Sequence, residues 1–492
     1  MEFVINEVTY SLPCRSFVID YAVSEKRKLA VVKEFTIRLL YSLKGITPEK
    51  IASYFGFTAD ETQVVLASLQ EERLIKWDDG SVELTTYAYD RFEEVNGKAE
   101  PRFFEVEDKI DSVTFDLLSY KLVAESSSGS VSPNNMEIPL PQDAMEKLTE
   151  KAKAAFDQQF NTFIEKAKGI DTYTEAVELY KINQVYNRND RLLPVRIKYI
   201  VTTENCHTPS IKYIDEWMED WDDDRSLFSC ICSQTESTGF GQTNLNISLD
   251  EYITLTKDPI ILNFYQNENF DFHSALKAYE SNKGIFELET RMLVGNIYST
   301  QNQDLIQSLL DYKLGDGAKI PSKGVLWSVD PSDKVWGRGP EIESFIQSIE
   351  QRLDDRKRPV GTVLAVNVQS KQDTFRLKDL YGITKCHFQG LNKYIGNGQI
   401  EIFLIPGVLV ACTFHFLIEN HYPLSLPIGF VTTDHKRIES IEKYLIEIFD
   451  NPANVNNYFE RFDVEDDKTV LHNKVIPLFS NHIANTKNTR NI

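Results

Sequence analysis

Apolar residues recur at two different periods along this chain. Leu29, Val32, Phe35, Leu39 and Leu40 are spaced by three and four, which predicts a helix with one buried face. Thr47 as N-cap and Pro48 at the first helical position begin a second helix that carries Ile51, Ala52 and Phe55 and stops at Gly56. Thr58 and Glu61 have capping-box spacing and open a third, which turns Val65, Leu66, Leu69 and finally Leu74 inward. Residues 75–77, the Asp79-Gly80 turn and residues 82–86 predict a short hairpin. Before these helices the period is two: residues 2–10 alternate like a strand, and residues 17–22 are expected to pair with them as an appended hairpin.

Further along, residues 108–123 form a mixed segment that closes a first domain. Residues 124–142 are rich in Ser, Pro, Asn and Gly without apolar periodicity, as in a flexible linker. Helices are expected at 143–168 and 173–186, then a strand at 195–201. Apolar runs at 325–329 and 361–368 flank a predicted helix at 340–353, which is a strand-helix-strand unit with parallel strands. A helical stretch at 388–395, strands at 400–404, 408–417 and 428–432, and an amphipathic helix at 438–448 complete the pattern. The fold class expected is α+β and multidomain. A first domain at 1–123, the linker 124–142, a helical segment 143–192, an α/β region 193–318 and a C-terminal α/β domain 319–492 with a mixed sheet make up the chain.

Three helices followed by a hairpin over residues 29–89 resemble a winged helix-turn-helix. That resemblance implies a module that touches DNA or another protein. A DNA-reading third helix offers Arg, Lys, Asn or Gln to base edges and phosphates, whereas the outward face here is Asp60, Gln63, Val64, Ala67 and Glu71. Residues 24–94 hold ten Lys or Arg against thirteen Asp or Glu, so release of counterions from a duplex would drive little binding. Protein docking through Asp60, Val64, Ala67 and Glu71 is therefore favoured. The cations placed to clamp phosphates are Lys26, Arg27 and Lys28 before the first helix, and Arg73 and Lys76 beside the hairpin.

Composition narrows the class. The 492 residues are 42% hydrophobic and 26% charged with a net charge of −21, which fits globular cores and argues against a general nucleic-acid coat or a binder of anionic membranes. No apolar run approaches the ~20 residues of a membrane span, and the first 25 residues lack a secretory core. A cytoplasmic protein with reduced thiols is expected, since its six cysteines are scattered.

Candidate chemistry is sparse. Gly337-Arg338-Gly339 before Pro340 places backbone N–H groups and a guanidinium near a helix start, an arrangement that can hold an anion, though a structural turn is the commoner use. Seven carboxylates between Asp215 and Asp224, interleaved with Trp217 and Trp221, read as a solvated helix or an acidic docking face. Cys206-His207, Cys230-x-Cys232 and Cys386-His387 lack the spacing of a zinc site and read as buried thiols. Cys412 and His415 lie three apart on one strand and so face opposite ways. Asp434, His435, Lys436 and Arg437 follow a strand end, where α/β sheets place sites, or simply start a helix.

The strand layout of residues 320–450 resembles one half of the phospholipase D-like fold, a family that uses a His-x-Lys pair on the strand corresponding to residues 408–412. Val408-Leu409-Val410-Ala411-Cys412 has neither residue, so the resemblance implies a degenerate copy without catalysis. No catalytic residue, metal or cofactor is assigned. The leading expectation is a non-catalytic adaptor in a multi-protein assembly acting on nucleic acid, with prokaryotic antiviral defence or DNA maintenance as its setting. Its partners are other protein subunits, with nucleic acid reached through the N-terminal domain and no membrane. Two alternatives stand: a phosphodiesterase or nuclease built around Arg338, Asp434 and His435, and a transcription regulator whose C-terminal half senses a ligand.

Overall fold

The computed structural model describes residues 1–461 except 28, 96–97, 124–130, 169–176, 215–226, 228, 232, 234–248, 268, 330–334, 354–360, 382–385, 393–394, 396–398 and 418–423. The chain is mixed α/β and divides into two compact units. One comprises Met1–Pro13, Ser127–Gln142 and Leu192–Ile492, and the other Cys14–Ser126 and Asp143–Arg191. Of the linker expected at 124–142, residues 124–130 lie outside the described set, while Met136–Glu137 forms a strand that pairs in parallel with Tyr10 and Ser11.

The first strand, β1 (Glu2–Arg27), is continuous over 26 residues, where the sequence reading expected a hairpin. Both sets of alternating positions are buried along it, Phe3, Ile5, Phe17, Ile19, Tyr21 and Val23 on the odd and Val8, Tyr10, Leu12 and Cys14 on the even, and a strand covered on both faces needs no turn to hide its apolar residues. Helices α1 (Val31–Leu43), α2 (Pro48–Phe55) and α3 (Ala59–Glu71) follow, then strands β2 (Ile75–Asp78) and β3 (Ser81–Leu84), a one-turn helix α4 (Thr86–Tyr89) and strands β4 (Phe92–Val95) and β5 (Lys98–Pro101). Ile37, Leu40, Ile51, Leu66, Leu69, Leu74, Ile75 and Val82 form one core beneath the three helices and the hairpin. The buried face of α1 is rotated from the expected one. Thr36 is inside, its hydroxyl donating to the Val32 carbonyl at 2.7 Å, and Val32 and Phe35 are exposed.

Strands β6 (Phe103–Asp116) and β7 (Leu122–Val123), the short β8 (Met136–Glu137), helix α5 (Leu148–Lys168) and strand β9 (Glu178–Thr202) come next. α5 lays Ala152, Phe156, Phe160, Phe163 and Ile164 across Phe17, Tyr21, Val23, Val113 and Phe115. Burial of such side chains contributes roughly 1.5–3 kcal/mol each. Gln159 departs from helical backbone angles, and its amide serves the turn below by accepting from Leu122 N and donating to the Tyr120 carbonyl, both at 2.8 Å. The helix expected at 173–186 is a strand from Glu178 onward. Leu179, Ile182 and Val185 have helical spacing, but pairing with β1 satisfies their backbone groups, and tertiary contacts override a local period.

The remaining elements are β10 (Ser210–Tyr213), α6 (Leu249–Thr256), α7 (Pro259–Phe264), the two-residue strands β11 (Tyr265–Gln266) and β12 (Asn269–Phe270), α8 (Phe272–Asn282), β13 (Ile285–Glu287), β14 (Thr290–Val294) and α9 (Thr300–Leu314). They continue with β15 (Gly324–Ser328), α10 (Glu341–Glu350), β16 (Gly361–Asn367), α11 (Lys371–Tyr381), β17 (His387–Leu391), β18 (Ile400–Ile405), β19 (Leu409–Leu417), β20 (Ser425–Thr432), α12 (His435–Asp450) and β21 (Val455–Arg461). Nine strands form a mixed sheet in the order β13-β14-β20-β19-β18-β15-β16-β17-β21. β15, β16 and β17 are parallel and the other pairs antiparallel. The strand-helix-strand unit forms as expected, but residues 387–391 are a strand in place of the helix expected at 388–395. Phe388 through Leu391 are buried beside β16, which supplies a hydrogen-bonding partner that sequence spacing does not reveal.

Candidate functional site

The surface of α3 is set by its first turn. Thr58 Oγ1 accepts from Glu61 N at 3.2 Å while Glu61 Oε2 accepts from Thr58 N at 2.8 Å, closing the capping box. The backbone and hydroxyl donors of Thr58 hold the Glu61 carboxyl below its ordinary range. With the start fixed, Thr62, Leu66 and Leu69 point inward, leaving Asp60, Gln63, Val64, Ala67, Gln70 and Glu71 as an exposed stripe. Val64 is 70% exposed. Its helix carries Asp60 and Glu61 in the first turn and no cation in the last.

The hairpin extends this surface. Trp77, 48% exposed, donates its indole N–H to Gln70 Oε1 at 3.0 Å, so strand β2 is tied to the stripe on α3. Sequence spacing missed this residue, although an aromatic next to a Asp-Gly turn is a visible signal. Lys76 faces Glu83 across the hairpin at 3.3 Å. Arg73 is exposed in the left-handed region at φ +58°, and its carbonyl accepts from Thr85 Oγ1 at 2.8 Å. Lys33 pairs with Glu72 at 2.5 Å and Arg38 with Glu34 at 2.6 Å, so several cations near the module are already neutralised. The backbone of Lys26 and Arg27 belongs to β1, and their side chains, like all of Lys28, lie outside the described residues.

The turn at 337–339 is consumed internally. Gly337 N donates to the Tyr298 hydroxyl at 2.7 Å, the Gly337 and Gly339 carbonyls each accept from Asn134 Nδ2 at 3.4 Å, and the Arg338 carbonyl accepts from Thr9 N at 2.6 Å. The Arg338 guanidinium donates to the Asn134 carbonyl at 3.4 Å. A carboxylate, Glu341, already sits in the first turn of α10, where an external anion would bind. At the start of α12, Asp434 accepts from Arg437 N at 3.0 Å as a helix cap, and Lys436 is exposed. His435 is exposed too and lies 3.8 Å from Glu439, so it and Arg338 are engaged by different neighbours. The acidic residues 215–224 and Cys232 lie outside the described residues. Cys206, Cys386 and Cys412 are buried. Among the described residues no three His, Cys, Asp or Glu side chains are grouped to hold a metal, and no helix is long and apolar enough to cross a membrane, which says nothing of a β-barrel.

A polar cluster within the nine-stranded sheet escaped the sequence reading. Glu401 Oε1 accepts the indole N–H groups of Trp327 at 2.8 Å and Trp336 at 3.1 Å. Its Oε2 meets His415 Nε2 at 3.0 Å, and His415 Nδ1 meets Ser425 Oγ at 3.0 Å. The connectivity is that of a hydroxyl, a base and an orienting acid. Burial decides its use: Glu401, His415 and Ser425 are 2%, 5% and 4% exposed, and the cluster is ringed by the aromatic core that includes Phe403 and Phe345. At that burial the hydrogen bonds among them satisfy one another as a buried polar network. The signal for it in the sequence is a glutamate inside the apolar strand IEIFLI. Cys412 points to the other face of β19, where its carbonyl lies 3.3 Å from the Tyr252 hydroxyl.

No protein-family model matches the chain, and no curated protein matches it. Similar solved structures include that of TrmBL2, titled as an archaeal chromatin protein with a novel mode of DNA binding, at 10% identity and a TM-score of 0.22, covering 86% of this chain and 93% of that one. Another is Nuc from Salmonella typhimurium, a phospholipase D family member, at 11% identity and a TM-score of 0.22, covering 35% of this chain and 99% of that one. Likenesses at such TM-scores carry neither a fold nor a function across.

Proposed function

We propose that this protein is a non-catalytic binding component of a multi-protein assembly acting on nucleic acid, and that residues 29–89 are a winged helix-turn-helix used to dock another protein. The observation that carries the reading is the outward stripe of α3, in which Asp60 and Glu71 bracket exposed Val64 and Ala67 and Gln70 holds exposed Trp77 alongside. Desolvating Val64 and Trp77 against a partner is favourable at roughly 25 cal/mol per Å² of apolar surface, whereas laying the same acidic stripe into a phosphate-lined groove is not. The burial of Glu401, His415 and Ser425 supports the non-catalytic half of the proposal. Prokaryotic antiviral defence or DNA maintenance is the setting such an adaptor suits.

The test uses the full chain purified from its native cells together with whatever subunit it retains. Val64→Glu and Trp77→Ala are expected to lower retention of that subunit at least tenfold without shifting thermal stability, while fluorescent duplex DNA stays unbound at 50 mM salt, a concentration at which roughly six phosphate contacts would be strongly felt. Tight, salt-steep duplex binding that disappears when Lys26, Arg27 and Lys28 become Glu would overturn the proposal in favour of a DNA-binding regulator.

A further inference from the structure

The outward stripe of α3 has an arrangement that its own fold explains only in part. Asp60, Val64, Ala67 and Glu71 are spaced by four, three and four, so they line one side of the helix, and all of them are exposed. Asp60 lies in the first turn, where a carboxylate meets the positive end of the helix dipole and is favoured. Glu71 lies in the last turn, where a carboxylate is disfavoured and where this helix has no cation to offset it. Lys33 takes Glu72 at 2.5 Å and Lys76 takes Glu83 at 3.3 Å. Among the described residues, neither Arg73 nor any other cation forms an ion pair with Asp60 or Glu71. Trp77 is tied to the last turns of α3 by its 3.0 Å bond to Gln70 Oε1, so an exposed aromatic ring stands next to the stripe.

The two end acids lie about 16 Å apart along the helix, with the apolar residues between them. That order excludes a second copy of the same stripe as the occupant. Packed antiparallel, two such helices bring Asp60 of each against Glu71 of the other, and packed parallel they bring each acid against its own counterpart. Like charges meet either way. Resting on the docking role proposed for this face, we infer that its occupant is an amphipathic helix of another protein, with a central apolar pair and a Lys or Arg about one turn beyond each of the two. The apolar pair meets Val64, Ala67 and Trp77, and each end acid receives a cation. Glu71 thereby gains from the partner the counter-charge that its own helix end lacks.

The probe is a labelled, alanine-rich helical peptide of roughly 16 residues, with leucines and arginines at the spacing of the stripe, and a twin with glutamates in place of the arginines. Fluorescence anisotropy with the full chain at low salt is expected to show the arginine peptide bound at least tenfold more tightly than its twin. The double substitution Asp60→Lys, Glu71→Lys is expected to reverse that order. Diffuse attraction to an acidic chain would not reverse, because the net charge stays strongly negative. Glu71→Lys alone is expected to weaken the arginine peptide while raising the melting temperature by about 1–3 °C, as relief at a helix end requires. The inference is overturned by equal binding of the two peptides, by an order that the double substitution leaves in place, by a melting temperature that falls in Glu71→Lys, or by dimers of the chain that Val64→Glu dissolves. If it fails alone, Val64→Glu and Trp77→Ala still release the subunit that the full chain retains from its native cells. If those variants also keep that subunit, the docking role fails with it.

Discussion

Glu401 accepts the indole N–H of Trp327 at 2.8 Å with both side chains shielded from water. Because Trp336 and His415 also bond this one carboxylate, Glu401→Ala strips partners from three buried donors at once. A loss of about 3–5 kcal/mol in equilibrium denaturation is expected. Ser425→Ala removes one neutral contact and is expected to cost about 1 kcal/mol. Equal costs for the two would show that the hydroxyl, and not the acid, organises the network.

Asp258 is a buried acid with a pH signature. It caps α7 by accepting from Ile260 N at 2.8 Å and Ile261 N at 3.1 Å, and it accepts from the Tyr252 hydroxyl at 2.6 Å. Burial nevertheless lifts its carboxyl to about 7, outweighing those donors. The folded chain thus binds a proton that the unfolded chain releases between pH 4 and 7, and stability falls across that interval by roughly 3 kcal/mol. Asp258→Asn is expected to flatten this part of the profile in urea titrations taken at successive pH values. An unchanged slope would mean the acid stays ionised when buried.

Gly295 ends β14 at φ +82°, and a Cβ there would collide with the Val4 carbonyl oxygen. Gly295→Ala therefore combines left-handed strain with backbone overlap, and about 3 kcal/mol of destabilisation is expected. Gly317, at φ +62° with open space around it, isolates the strain alone and is expected to cost only about 1 kcal/mol on the same substitution. Chemical denaturation of the two variants side by side measures the difference.

Sequence pattern revealed what local chemistry determines. The Thr58 and Glu61 capping box, the Asp79-Gly80 turn and the apolar runs of β15 and β16 are each specified within a few residues, and each forms where expected. Residues 178–186 and 388–391 were read as helix because the partners that make them strands, β1 and β16, are distant in the chain. The phase of α1 was misread for a different reason. Thr36 looks like a surface residue, yet it hides its hydroxyl in its own helix and takes the inward position that Phe35 was expected to hold. The Glu401 network was illegible because its members come from β15, β18, β19, β20 and the loop before α10, and only the sheet order brings them together.

The unbroken run of β1 also governs how the chain must fold. Asn6 and Thr9 bond to Val335 and Arg338, more than 300 residues later, and Asn296 N reaches back to the Ile5 carbonyl. Until β8, β9 and those more distant segments are in place, Phe3, Ile5, Val8, Tyr10 and Leu12 belong to an apolar ribbon with unpaired backbone groups, the form most prone to join with another copy. Closure of such long loops is slow, so refolding from denaturant is expected to be limited by the docking of this ribbon, with yield falling as protein concentration rises.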